Sequence, residues 1–276
     1  MAEFALRNIS NPVVMAILNV TPDSFFSGNR WNGQELFKNK VITALNDGAE
    51  ILDVGGYSSR PGAEDVSEQE ELNRVSKAIE IIRSVSDSIP ISVDTFRSSV
   101  VRSVVKNFGQ IIVNDITAGE LDSKMLETVA QLGTPYIAMH MKGTPQDMQQ
   151  RCDYNNIINE LDSYFANKIE LFNQLGITDF ALDPGFGFAK STQQNYELLS
   201  QLHKLTHFGV PLLVGISRIS MIYRILNSTP EDALSGTIAL NWESLRQGAK
   251  ILRVHDVKPA VECVRLFNYF SRNNND

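Results

Sequence analysis

Only two cysteines, Cys152 and Cys263, occur among 276 residues. They lie far apart and without metal-ligand spacing, which leaves no basis for a disulfide framework or a structural zinc site. A reducing cytosol is the expected compartment. No long basic run offsets the formal charge of −7, so the chain lacks the electrostatic footprint of a nucleic-acid or anionic-membrane binder. Long apolar runs are missing too. The first such run, residues 13–20, is broken by Asn19 and is far too short to span a bilayer, and no targeting segment is expected. Neither a Gly-x-Ser-x-Gly elbow, a Walker loop, a His-Glu-x-x-His pair nor a paired cysteine motif is present, and the hydrolase, nucleotide-triphosphatase and zinc-peptidase readings drop back.

What the chain does have is eight short apolar runs, each closing on a polar residue: 13–19, 49–53, 89–94, 111–115, 135–140, 179–183, 211–217 and 250–255. Each reads as a buried parallel strand whose functional end is its C-terminal end. Helix-period segments separate them, at 34–46, 67–84, 98–107, 124–132, 156–175, 193–205, 230–247 and 257–270. Start and stop signals agree: Ser67 followed by Glu70 resembles a capping box, Gly109, Gly133, Gly176 and Gly248 follow helix ends, and Pro230 suits a first helical turn. Each strand-plus-helix unit takes roughly 34 residues, the size of a βαβ repeat. Eight such units predict an α/β chain folded as a single (β/α)8 TIM barrel over residues 1–276, with 271–276 a frayed tail. A doubly wound open sheet is the alternative, but its glycine-rich fingerprint is absent after the first strand, where Leu18-Asn19-Val20-Thr21-Pro22 stands.

The strand ends carry the chemistry. Asp53, Asp94, Asp115 and Asp183, with Asn19 and Asn114, place carboxylates and amides at the mouth of the predicted barrel. Each alone could be a helix cap or a turn closure. Together they also suit a nitrogen-rich heterocycle, because a carboxylate accepts two parallel N–H bonds from a guanidine-like edge; Asp94, Asn114 and Asp183 are the choice for it. Asn19, Arg60, Arg253 and His255, with the Ser58 and Ser59 hydroxyls, could form an anion site, since arginine matches phosphate oxygens. Arg253 and His255 stand two apart on one strand and share a face. Simple pairing with the adjacent Asp256 explains them as well. His203 and His207 read as surface residues, and His140 as a hydrogen-bonded core histidine.

At this point the residues become recognisable. Ile17-Leu18-Asn19-Val20-Thr21-Pro22-Asp23-Ser24-Phe25 resembles the N-terminal signature of the dihydropteroate synthase family. Gly55-Gly56-Tyr57-Ser58-Ser59-Arg60-Pro61-Gly62-Ala63, Ser92-Val93-Asp94-Thr95, Val113-Asn114-Asp115-Ile116, Met139-His140-Met141, Asp183-Pro184-Gly185-Phe186-Gly187-Phe188 and Arg253-Val254-His255-Asp256 follow in the family's order. The resemblance implies a bacterial-type folate-biosynthesis transferase that joins 6-hydroxymethyl-7,8-dihydropterin diphosphate to para-aminobenzoate, through a pterin cation, with magnesium as cofactor. It implies catalytic roles for Asp94, Asn19, Arg253 and His255. Pterin contacts are implied for Asp94, Asn114, Ile116, Met139, Asp183, Phe188 and Arg253, and diphosphate contacts for Asn19, Arg60, Arg253 and His255. Ser59, Arg60, Pro61, Phe188 and Ser220 would shape the aminobenzoate pocket, and Asn19 would hold the metal. A cytoplasmic homodimer packed through late barrel helices and sulfonamide sensitivity are implied too, with small molecules and neither nucleic acid nor membrane as partners.

Three departures from the family pattern stand out. Ile219 replaces the lysine of a Ser-Arg-Lys-Ser run, Tyr57 stands where Glu is usual, and Ser59 replaces a common Thr. Loss of a charged donor can cost roughly 1.5–3 kcal/mol where its partner is left unpaired. A non-catalytic or weakly active pterin-binding paralogue is therefore the alternative. A pterin-dependent methyltransferase domain shares the barrel but typically lacks the Ser-Ser-Arg-Pro-Gly loop. The first loop also carries aromatics, Phe25, Phe26 and Trp31, expected to pack rather than catalyse.

Overall fold

A computed structural model of the chain describes residues 4–20, 33–57 and 66–272, and the backbone of 30–32. The strands are β1 (Val13–Asn19), β2 (Ile51–Gly55), β3 (Ile91–Asp94), β4 (Ile112–Asp115), β5 (Tyr136–Met139), β6 (Phe180–Asp183), β7 (Leu213–Val214) and β8 (Ile251–Val254). All pair in parallel, in the order β6-β5-β4-β3-β2-β1-β8-β7. The two ends of that sheet meet through a parallel bridge between Leu182 and Leu212, where the Leu182 N–H donates to the Pro211 carbonyl at 3.0 Å. The predicted barrel therefore closes through this bridge.

Alternation along each strand builds two cores from one pattern. Outward side chains such as Val14, Ala16, Leu18, Leu52, Val54 and Val93 join the large core shared with the helices. Inward, Met15, Ile51, Ile112, Ile137, Ala181, Leu213 and Ile251 form one buried layer. Two residues further along the same strands, and so on the same face, stand Ile17, Asp53, Asn114, Met139, Asp183, Gly215 and Arg253. The apolar layer thus seals the barrel beneath a polar one.

Around the strands run α1 (Arg30–Asn46), α2 (Glu68–Val85), α3 (Ser98–Phe108), α4 (Met125–Leu132), α5 (Ile157–Leu175), α6 (Thr192–Ser200), α7 (Ser220–Tyr223), α8 (Leu234–Arg246) and α9 (Val257–Arg272). Several expectations shift. The helix expected over 193–205 stops at Ser200 and resumes as a 3-10 turn, Leu202–Phe208. The residue between them, Gln201, closes α6 outside the helical region at φ −117° and ψ 10°. Pro230 lies in a turn before α8 rather than in its first turn, its carbonyl accepting from both Ala233 N–H and the Arg218 side chain. The short α7 was not anticipated. β7 keeps only two of the seven residues expected of it, since Ser217 leaves the sheet to bond His255. Ser271 and Arg272 end α9 instead of fraying, while 273–276 lie outside the described residues. Ser191 with Gln194 forms a full capping box, whereas Ser67 accepts only from the Glu70 N–H.

The bottom of the barrel is plugged by Leu6, on a 3-10 turn before β1. Asp179, just before β6, holds that turn by accepting the Arg7 N–H at 2.8 Å and the Leu6 N–H at 3.2 Å. Leu6 is fully buried against Met15, Ile51 and Ile251. Leu6→Ala is expected to lose about 2–5 kcal/mol of unfolding free energy in urea titrations, the range for a leucine truncated in a core.

Candidate functional site

The inward polar layer converges on one guanidinium. Arg253, from β8, donates from Nε to Asp53 Oδ2 and from Nη2 to Asp94 Oδ2, both at 2.7 Å. Asp53 is fully buried and also accepts the Asn114 amide, whose Nδ2 lies 3.3 and 3.4 Å from its two oxygens. Register places these groups side by side: Gly55 pairs with Asp94, and Asp94 with Asn114. A side chain on Gly55 would come within 3.0 Å of the Asn19 amide oxygen and 3.6 Å of the Asp94 Cβ. Glycine there is what lets Asn19 and Asp94 approach. Burial pushes the Asp94 carboxyl up to about 7, against the pull of Arg253 and with the help of Asp53. Asp183 rises to about 6, mainly through burial, while the Gly185 N–H at 2.8 Å on its Oδ1 holds it down.

An apolar wall flanks these groups. Ile116, Met139, Met141, Met148 and Ala189 form a separate cluster, with Phe96 and Phe188 packed on it. The structure therefore brings together Asp94, Asn114, Asp183, Arg253, Met139, Ile116 and Phe188, all singled out in the sequence. Asp115 does not join them. It faces the opposite side of β4, where its oxygens accept from the Thr117 N–H and hydroxyl, the Gly119 N–H and the Tyr136 hydroxyl, all at 2.8 Å. Asp115 closes a turn.

The residues expected at the anion end are partly in view. His255 is exposed, with its Nδ1 3.0 Å from the Ser217 hydroxyl. Asp256 does not pair with Arg253 or His255 but with Arg218, through Nε at 2.7 Å and Nη2 at 2.9 Å. Arg218 Nη1 is spent on the carbonyls of Pro230 and Glu231. Arg218 thus offers no replacement for the lysine missing at Ile219. That isoleucine packs against the core, and its Cδ1 lies 3.6 Å from where a Cβ on Gly187 would sit. Ser220 opens α7 beside it. Asp23, Phe25, Phe26, Ser58, Ser59, Arg60 and Pro61 lie outside the described residues, as does the Trp31 side chain. His203 and His207 are on the surface, although His207 has a carboxylate partner, Asp162, at 2.6 Å.

Two supports were missed. Lys190 is almost fully buried, and its ammonium reaches the carbonyls of Gly185 at 2.9 Å and Phe188 at 3.0 Å and the His140 Nδ1 at 3.1 Å. It ties the turn after Asp183 to the end of β5. Burial lowers its pKa to about 7, and burial and nearby Lys190 lower that of His140 to about 2, so His140 is the neutral acceptor. Gly185, at φ +72°, comes so near the His140 carbonyl that a side chain has no room. Glu71 on α2 is fully buried, taking Thr95 Oγ1 at 2.5 Å and Arg97 Nη1 at 2.6 Å. A signal for Glu71 existed: it sits on the stripe of Val75, Ala78 and Ile82, where an acid needs partners.

Because folding raises the Asp94 pKa to about 7 from 3.8, the native protein holds more protons than the unfolded chain between those values. Its contribution is fully present below pH 3.8 and is lost as pH rises to 7. The stability of the wild type relative to Asp94→Asn should therefore fall from pH 4 to pH 7, measured by urea unfolding across that range. A constant difference would remove the assignment.

The model of the pterin binding enzyme family matches residues 15–255. Dihydropteroate synthase of Escherichia coli K12 is 44% identical over 261 residues, 94% of this chain and 92% of that protein. Among solved structures, the Yersinia pestis dihydropteroate synthase in complex with a sulfonamide drug superposes with a TM-score of 0.88 at 39% identity, covering 96% of each chain. The Xanthomonas albilineans dihydropteroate synthase with 4-aminobenzoic acid gives 0.88 at 36% identity, over 95% of this chain and 94% of that one. These relatives lend no support to a non-catalytic paralogue, the alternative that Ile219 had raised. With its closed barrel and polar mouth, the chain belongs to the pterin binding enzyme family, among the dihydropteroate synthases.

Proposed function

We propose that the mouth of the barrel binds 6-hydroxymethyl-7,8-dihydropterin diphosphate and para-aminobenzoate and joins them into 7,8-dihydropteroate, releasing diphosphate. The observation that carries this reading is the layer in which Arg253 bonds Asp94 and Asp53, Asn114 bonds the same Asp53, and Asp183 stands on the same face, beside an apolar wall. A flat ring with N–H groups along one edge finds acceptors there, with Ile116, Met139 and Phe188 against it. Arg253 lies beside the ring and, with Asn19 and His255, faces the diphosphate, to which Arg60 would add a second guanidinium. Phe188 and Ser220 line the aminobenzoate subsite, to which Ser59, Arg60 and Pro61 would contribute.

The step then follows from charge. The carbon–oxygen bond breaks with its electron pair on the diphosphate, leaving a cation spread over the pterin. Asp94, as a preorganised carboxylate in a largely buried site, stabilises that cation. The aniline nitrogen closes the carbon–nitrogen bond and gives up a proton to solvent. No strong general base is needed, because a neutral aniline is nucleophile enough for a cation.

Asn19 suits magnesium. Its amide oxygen, close to Gly55 and Asp94, accepts no hydrogen bond from a described residue, and magnesium takes one or two protein oxygens and completes its shell with substrate phosphates and water. Bound there, magnesium would neutralise the leaving group. Incubation with both substrates and magnesium should release diphosphate and form dihydropteroate, and chelation should suppress the release. No product at high enzyme concentration would remove this reading.

The setting proposed is a cytosolic homodimer. No helix among the described residues is long and apolar enough to cross a membrane. On α9, Leu266, Tyr269 and Phe270 are exposed at 66%, 73% and 53%, and Trp242 of α8 packs edge-on to Phe267 and Phe270. Apolar side chains crowded on one face favour a second copy as cover. Leu266→Glu is expected to shift sedimentation from dimer to monomer; a wild-type monomer would exclude the dimer.

A further inference from the structure

One member of the polar layer has no path to a ligand. Asp53 is fully buried, two residues below Gly55, the register partner of Asp94. Its oxygens are occupied by Arg253 Nε and Nη2 and by the Asn114 amide. An ionised carboxylate only accepts hydrogen bonds. Asn114 must therefore turn its NH2 group toward Asp53, and its Oδ1 is left without a donor among the described residues. The same carboxylate pins one edge of the Arg253 guanidinium, while Nη1 bonds to no described residue.

We propose that Asp53 is a positioning residue that sets the polarity of the pocket. By holding the Asn114 amide nitrogen and one edge of Arg253, it presents Asn114 Oδ1 as an acceptor and Arg253 Nη1 as a donor. The pocket then selects a ring edge that donates N–H toward β4 and accepts, or carries negative charge, toward β8. The inference rests on the pterin reading of this site and deepens it.

A swap of the two side chains separates this role from simple packing. In Asp53→Asn, the new amide oxygen faces Arg253 and its NH2 faces Asn114, which must flip and turn its own NH2 to the pocket. In the double variant Asp53→Asn with Asn114→Asp, the residue-53 NH2 meets a carboxylate whose second oxygen again faces the pocket as an acceptor. Calorimetry with 6-hydroxymethylpterin should show binding weakened roughly tenfold or more in Asp53→Asn. The double variant should recover most of it, with KM for para-aminobenzoate unchanged in both. Equal affinity of the wild type and Asp53→Asn, or a folded double variant no tighter than the single one, would overturn the proposal.

Should the variants not fold, the wild type decides by amide NMR. The Asn114 NH2 protons, held by Asp53, should exchange slowly with solvent in the free protein, and fast exchange would overturn the proposal. A wild type that binds no pterin would remove the substrate reading instead, and the Asn114 signal would still decide the positioning.

Discussion

A single guanidinium, largely withdrawn from solvent, organises the mouth of this barrel. Arg253 sits between Asp53 and Asp94, and each of those carboxylates would be costly to bury without it. Removing one partner from such an arrangement strands a charge in a poorly solvated place, a loss of about 3–5 kcal/mol. The three side chains come from β8, β2 and β3, and they meet only because the sheet closes on itself. Burial leaves Asp94 near the point where it exchanges its proton at neutral pH.

Everything else in the site supports that arrangement. Beneath it, the layer of Met15, Ile51, Ile112, Ile137, Ala181, Leu213 and Ile251 keeps the barrel floor apolar, with Leu6 as its plug. Beside it, Lys190 fixes the turn that carries Asp183 and Phe188 to the end of β5. Glu71 and Arg97 fix the end of β3 from the helix side. Few polar side chains line the mouth, and their placement comes from neighbours packed beneath and beside them.

Short apolar runs closing on a polar residue made the strands legible. β1 runs from Val13 to Asn19 as its apolar run predicted, and the other strands fall within about two residues of their runs. The exception, β7, is short because the residues after Val214 turn away to serve the loop. Asp94, Asn114 and Asp183 were legible because catalytic barrels carry polar groups at strand ends. Asp115 carried the same signal and meant something else. One residue along a strand reverses the face, so a neighbouring Asn and Asp divide between pocket and turn.

By itself, the sequence determined the eight strand-helix units, the polar strand ends and the family motifs, because these are local patterns of burial and residue type. Only the tertiary structure decided which polar groups share a charge. Arg253 reaches Asp53 across 200 positions and Asp94 across 159, while the adjacent Asp256 goes to Arg218. It also decided that Lys190 is buried against His140 and that Arg218 is unavailable to stand in at Ile219. Pairing between distant strands depends on how the barrel closes, its register and its inward face, and no local pattern encodes a distance between residues brought together only by that closure.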